Sequence, residues 1–390
     1  MKANAGGNCH PDEIYGRNAL IDHLWRILEK QSIVITAERR IGKTQVLRRM
    51  HLIPARGWKP IFKVLDQFST ALEFAESVYD EVQQLLDRPQ RAKNFLQRLL
   101  EKSETDYINV RSRTWKQLLI AAIRDLMAKD LPDRPVFFWD EFPWMLESIC
   151  RREGLETAAE LLGTLHSLCI EHNRFRVILT GSIGLHHLLE KMSAAGIPTP
   201  ALNIMYPATV PTLDRADAIS LAADLLDGEG IRCDDRRQVA EAIAFEVDDF
   251  PYYIHHVVAA LRLGQTPVNV VDADTVKKFI AEQLVAANDP WNLAHYRKRL
   301  TACYPNGNDA RNIAIILDVM ASTPAADYSL SVDVILRQAS DRMATLRDRD
   351  ELLRLLRNLD ADHYLSRYPG GEYRFRFPLI RRWWILDRGL

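Results

Sequence analysis

No stretch of this chain approaches the ~18 consecutive apolar residues of a membrane span. The first residues carry no apolar signal core either. Cysteine is scarce: Cys9, Cys150, Cys169, Cys233 and Cys303 are widely spaced, odd in number and form no CxxC pair. That pattern excludes a disulfide framework and a cysteine zinc site, and it fits a reducing compartment. The expected location is therefore the cytoplasm, with no membrane partner. Net charge is nearly absent, at −1, so no global field draws the chain to nucleic acid or acidic lipid. Any such attraction has to come from a local patch.

What is present is an ordinary globular composition, 47% hydrophobic and 26% charged, over 390 residues, enough for two or three domains. The most informative stretch is Ser32 to Met50. Ile33, Val34 and Ile35 read as a buried strand. The loop Ala37-Glu38-Arg39-Arg40-Ile41-Gly42-Lys43-Thr44-Gln45 follows and opens directly into a helical pattern. Strand, loop and helix N-terminus in that order suit a phosphate-binding loop. Free backbone N–H groups at the helix start would face phosphates, and the helix dipole favours anions there. Lys43 would put its charge on the β- and γ-phosphates, and Thr44 would give its hydroxyl to Mg²⁺. Ala37 stands where the strict pattern has glycine.

A second anchor is Pro135-Val136-Phe137-Phe138-Trp139-Asp140-Glu141, an apolar run ending in adjacent acids. Continuous apolar sequence marks a strand buried on both faces, and open α/β sheets bind ligands at the carboxyl ends of their strands. In a nucleotide site Asp140 would hold Mg²⁺ and Glu141 would orient and deprotonate the attacking water. A third strand, within Arg174 to Ser182, ends on small polar residues. Thr180 or Ser182 could lie between the acids and the γ-phosphate, while Ser182 also reads as a helix cap.

The remaining chain supplies context. Residues 1–11 are polar and read as a flexible N-terminus. Helices are expected from about Asn18, and at Thr70 to Leu86, Arg91 to Lys102, Thr114 to Met127 and 155–171. Trp58 to Asp66 reads as another strand, ending on an acid. Gly16, just before the first helix, either lets the backbone approach a base or simply makes a turn. Ser193 to Val210 lacks a helical period and reads as a domain edge. Three amphipathic helices follow, at Leu213 to Leu226, Arg236 to Val247 and Pro251 to Leu263. Two adjacent-histidine pairs, His186-His187 and His255-His256, point to different helix faces and read as buried residues rather than metal ligands. Asn312 to Ala321, Ser331 to Arg337 and Asp348 to Leu359 are three further helices. Tyr364 to Phe377 alternates around Pro369-Gly370-Gly371 as a hairpin, so this end reads as a winged helix. From Tyr364 onward six arginines face two acids. The expected recognition helix instead begins Asp348-Arg349-Asp350-Glu351, which would repel phosphates.

Together these segments resemble the AAA+/STAND branch of P-loop ATPases, most closely the prokaryotic "archaeal ATPase"-type group. The resemblance rests on Tyr15-Gly16-Arg17, Glu38 to Thr44, Trp139 to Trp144, Thr180 to Leu185 and Phe250 to Ile254. His295 to Leu300 and Phe375 to Trp384 extend it. It implies a parallel-sheet α/β core over 12–210, with a helical insertion at about 68–130. A helical lid over 211–290 and a winged-helix domain over 291–390 would follow. It further implies ATP and Mg²⁺ as ligands, Gly16 and Arg17 beside the adenine, and Thr180 or Ser182 as the sensor residue. Pro251 would stand where such proteins contact the nucleotide through Gly-x-Pro, with Asp249 replacing the glycine. Arg151, Arg152, Arg174 and Arg176 are candidates for an arginine finger.

The leading expectation is an Mg²⁺-dependent ATPase acting as a conformational switch. The alternatives are a DNA-associated ATPase using the winged helix and a nucleotide-gated interaction protein with little turnover. A nucleotide-dependent homo-oligomer, a protein partner at the winged helix and DNA are the candidate associations, and the sequence does not choose among them. Phosphoryl transfer to another substrate ranks last.

Overall fold

The computed structural model describes residues 1–7, 10–87, 107–181, 185–198, 203–264, 270–304, 307–323, 329–340, 342 and 348–390. The expected helix at Arg91 to Lys102 and the candidate Ser182 lie outside these residues. Two units divide the chain. The first comprises Met1–Gly16, Arg40–Gly42 and Pro211–Leu390; the second comprises Arg17–Arg39 and Lys43–Val210.

The second unit is built on five parallel strands: β1 (Ile33–Thr36), β2 (Trp58–Val64), β3 (Arg134–Asp140), β4 (Val177–Gly181) and β5 (Tyr206–Thr209). Their order is β2-β3-β4-β1-β5, so β4 is inserted between the loop strand β1 and the acid strand β3. Register runs Ile35 to Thr180 and Trp139 to Leu179, which brings three strand ends to one edge. Strand β3 is buried from Pro135 through Asp140, as a central parallel strand with both faces covered must be. Its faces are packed by α1 (Asn18–Leu28), α2 (Lys43–Leu52), α3 (Ala71–Leu85), α4 (Tyr107–Ala128), α5 (Phe142–Glu153), α6 (Leu155–Glu171) and α7 (Leu185–Ala194). Ile21, Leu24, Trp25 and Leu28 form the buried face of α1, at the three- and four-residue spacing of one helix side. Helix α3 starts in a capping box: Thr70 accepts from Glu73 N at 3.1 Å, and Glu73 accepts from Thr70 N at 3.1 Å. The core joins Phe74, Trp115, Phe137, Trp139, Leu146 and Leu165.

In the second unit two elements differ from the sequence reading. Strand β3 stops at Asp140, because Glu141 turns left-handed (φ 57°) and leads into α5, a helix the acidic and proline-containing start concealed. The stretch read as a structureless domain edge contains β5, which pairs with β1 from Tyr206 to Thr209. Pro207 disguised it, since proline in a strand is tolerated only at an edge.

In the first unit, helices α8 (Arg215–Glu229), α9 (Arg236–Glu246), α10 (Pro251–Gly264) and α11 (Ala273–Val285) precede α12 (His295–Cys303). A winged helix follows: α13 (Gly307–Ser322), α14 (Val332–Ser340), α15 (Arg349–Ala361), the hairpin β6 (Leu365–Arg367) and β7 (Tyr373–Phe375), and α16 (Pro378–Arg388). A bridge from Leu330 to Tyr373 adds the short third strand of that motif. Residues 1–7, read as loose, are tied down: Ala3 N donates to Glu229 at 2.8 Å and Asn4 N to His255 Nδ1 at 3.1 Å. Burial, opposed only weakly by Glu13, leaves the His255 pKa lowered to about 4, so its ring nitrogen stays free to accept. Among the described residues no helix is long and apolar enough to cross a membrane.

Candidate functional site

The carboxyl edge of the sheet collects the chemistry of the second unit. Asp140 is 1% exposed, a costly place for a carboxylate unless its lone pairs are used. Thr44 Oγ1 donates to its Oδ2 at 2.6 Å, Thr180 Oγ1 donates to its Oδ1, and Glu141 N reaches Oδ1 at 3.2 Å. The hydroxyls come from the helix after β1 and from β4, so the inserted strand is what makes this three-way meeting possible. Gly181 keeps β4 close to α5, because a Cβ there would lie 2.4 Å from Pro143 Cγ.

Lys43 is buried and folds back on its own loop, donating from Nζ to the carbonyls of Ala37 at 2.7 Å and Glu38 at 2.9 Å. Ala37 is itself buried at 3% exposure, so its methyl group is accommodated in the loop. Arg39 N donates to Glu38 Oε1 at 2.7 Å, a contact to an acid that the sequence reading did not single out. Ile41 is buried at 1% exposure, while Gln45 and Thr44 are partly exposed. Glu141 has its pKa raised, first by burial and then by Asp140, with Lys43 and Arg39 opposing and Asp66 adding.

Two loop residues have positive φ, Gly42 at 104° and Arg40 at 68°. For a long side chain the left-handed region costs about 1–3 kcal/mol and persists only where the surroundings hold it. Arg40, a member of the first unit, is held there at two points. Its guanidinium donates to Trp291 O at 2.7 Å and lies 4.3 Å from the centroid of the Tyr252 ring. A charged hydrogen bond (about 1.5–3 kcal/mol) and a cation–π contact (about 0.5–2 kcal/mol) suffice to offset that strain.

The other candidates in the first unit have their own settings. Gly16 has φ 60°, and a Cβ there would meet Asp217 Oδ2 at 2.5 Å, so this position demands glycine. Pro251 opens α10, and Asp249, in place of the motif's glycine, takes φ 59°, the conformation glycine would adopt freely. Its carboxylate pairs with Arg215 at 3.2 Å. In the second unit Arg17 is buried and its carbonyl accepts from Ile21 N at 2.9 Å, starting α1. The four arginine-finger candidates all have partners within the second unit, Arg174 lying 3.7 Å from Asp130. Arg176 is 8% exposed and spends its guanidinium on the carbonyls of Leu28 and Lys30 at 2.8 and 3.0 Å. Arg151 pairs with Glu147 at 2.7 Å and Arg152 donates to Ser69 at 2.7 Å.

No protein-family model matches the sequence, and neither does any curated protein. Similarity is found in three dimensions. A Walker-type ATPase of Pyrococcus abyssi superposes with a TM-score of 0.62 at 17% identity, over 98% of this chain and 99% of that one. The ORC2 protein of Aeropyrum pernix, solved as ADPNP-ADP complexes, superposes with a TM-score of 0.52 at 16% identity, over 98% and 95%. The fold is that of the AAA+ P-loop ATPases. The C-terminal winged helix completes the architecture expected from the sequence.

Proposed function

We propose that this chain binds ATP with Mg²⁺ and hydrolyses it, using the change in phosphate contacts as a conformational switch. The observation that carries the reading is the hydrogen-bonded chain Thr44–Asp140–Thr180 at the sheet edge, next in sequence to Lys43 and Glu141. Thr44 Oγ1 and Asp140 Oδ2 are hard oxygen donors with no thiolate or imidazole among them, which suits Mg²⁺. These two residues would hold the ion, and it would supply positive charge to the phosphate oxygens.

The protein's own groups divide the remaining work. Loop N–H groups at the start of α2 bind the phosphates with the helix dipole behind them. Lys43 exchanges its two loop carbonyls for phosphate oxygens, a move requiring rotation of one flexible side chain. Glu141 accepts the proton of the attacking water, and burial beside Asp140 makes it a stronger base than an exposed glutamate. Thr180 links Asp140 to the sensor strand and would respond when the γ-phosphate leaves. Gly16, Arg17 and Pro251 are proposed adenine-side contacts.

The winged helix supports a protein partner more than duplex binding. Its arginine surplus is largely consumed within its own unit: Arg376 on Asp360, Arg381 on the carbonyls of Ala321 and Thr323, Arg382 on Glu246, and Arg388 on Asp318. Helix α15 is capped by Asp348, whose carboxylate accepts from Asp350 N at 2.9 Å, so its N-terminus presents acids.

Phosphate release from ATP in Mg²⁺ buffer, against an EDTA control, tests the reading. Metal-dependent release supports it, and failure of the chain to bind ATP overturns it. Binding without turnover would favour a nucleotide-gated interaction protein. A duplex titration whose affinity falls with salt would restore the DNA-associated alternative.

A further inference from the structure

We propose that Arg40 is a positioning residue that holds the phosphate loop in its binding shape through the aromatic cluster of Tyr252 and Trp291, and does so without touching phosphate. The inference rests on reading the loop as a phosphate cradle. Successive backbone N–H groups point into one concavity when residues of opposite handedness follow one another. Positive φ at Arg40 and Gly42 provides that turn of handedness. Gly42 adopts it freely, whereas Arg40 adopts it under strain and has to be held.

The holding contacts are rigid. Trp291 is 1% exposed and its ring lies 5.5 Å from that of Tyr253. The turn that presents its carbonyl is closed by Asn292 N donating to Asp289 O at 2.8 Å. It is also clamped by the Asp289 carboxylate, which accepts from Leu293 N at 2.7 Å and Ala294 N at 2.9 Å. Tyr252, under the guanidinium, is packed by His256 at 4.4 Å and Tyr253 at 5.2 Å between ring centroids. Burial, with Arg40 and His255 contributing, lowers the His256 pKa to about 4, so no second cation repels Arg40 there near neutral pH. Occupying the loop and ordering the Trp291 turn are then linked, and linkage runs both ways.

ATPγS affinity by calorimetry separates this role from a direct phosphate contact. Arg40→Ala keeps the strain and loses the anchor, so binding weakens about 10-fold. Arg40→Gly also loses the anchor but takes positive φ freely, and recovers to within about 3-fold of the parent. Tyr252→Leu, which leaves the loop untouched, weakens binding about 3-fold. Hydrogen exchange over residues 286–294 slows when ATPγS binds the parent, and this response is lost in Arg40→Ala at saturating ligand. Two results would overturn the proposal: Arg40→Gly binding no better than Arg40→Ala, or Tyr252→Leu binding as the parent does. Failure of the parent itself to bind ATPγS would instead defeat the nucleotide reading on which this one rests.

Discussion

Each unit contains a pair of adjacent acids at a left-handed turn: Asp140-Glu141 in the second and Asp248-Asp249 in the first, with φ 57° at Glu141, 53° at Asp248 and 59° at Asp249. In sequence they look alike. In space Asp140 lies at the carboxyl edge of a parallel sheet, where its partners are hydroxyls that can exchange one oxygen ligand for another. Asp248 accepts the backbone N–H of Leu379 at 2.6 Å at the start of α16, and Asp249 pairs with Arg215. Arg382 closes the second arrangement by bonding Glu246. Hydroxyl partners leave an acid available for chemistry, whereas a helix end and arginines commit it to holding elements together. Burial then pushes the Asp248 pKa up to about 7, against the Leu379 N–H and Arg382.

Substitutions sharpen the contrast, and the largest effect is expected at Glu141. Glu141→Gln should cut turnover by about 10²–10⁴-fold while ATP affinity stays within a few-fold; parental phosphate release would remove Glu141 from the role of base. Lys43→Ala should weaken ATP binding at least ~10-fold by calorimetry, because its Nζ already lies inside the curve of the loop against the Ala37 and Glu38 carbonyls. For the second pair the readout is stability. With its folded pKa raised from about 4 to about 7, Asp248 adds stability that is complete at low pH and lost as pH rises through about 7. Asp248→Asn keeps an acceptor for Leu379 N and removes this titration. The variant should therefore be more stable than the parent by about 1–3 kcal/mol at pH 8, the gain vanishing towards pH 4 in urea melts. An equal difference at both pH values would mean that the carboxylate is not the cause. The smallest effect is Arg215→Ala, which breaks a half-exposed pair with Asp249 and should cost no more than about 1 kcal/mol.

Much of the core was legible because its signals are local. Continuous apolar runs marked β1, β3 and β4, and residue order alone marked the loop and the helix that follows it. Helix spacing also found α8 to α10 but not α11 and α12, and the hairpin with its three preceding helices declared the winged helix. Strand β5 escaped because Tyr206-Pro207-Ala208-Thr209 has neither length nor alternation, and its existence depends on β1 offering an open edge. Helix α5 escaped because its first turn depends on Glu141 adopting a left-handed backbone that no local preference of glutamate announces.

By itself the sequence determined that a phosphate-type loop stands before a helix and that two acids end a buried strand, since both follow from residue order within a few positions. Only the tertiary structure decided which groups these meet. Inserting β4 between β1 and β3 delivers Thr180 to Asp140, a pairing of residues 40 positions apart. Folding also sets the Arg40 guanidinium on the Trp291 carbonyl, 251 positions away. Such meetings depend on strand order and long-range packing, and neither is encoded in the neighbours along the chain.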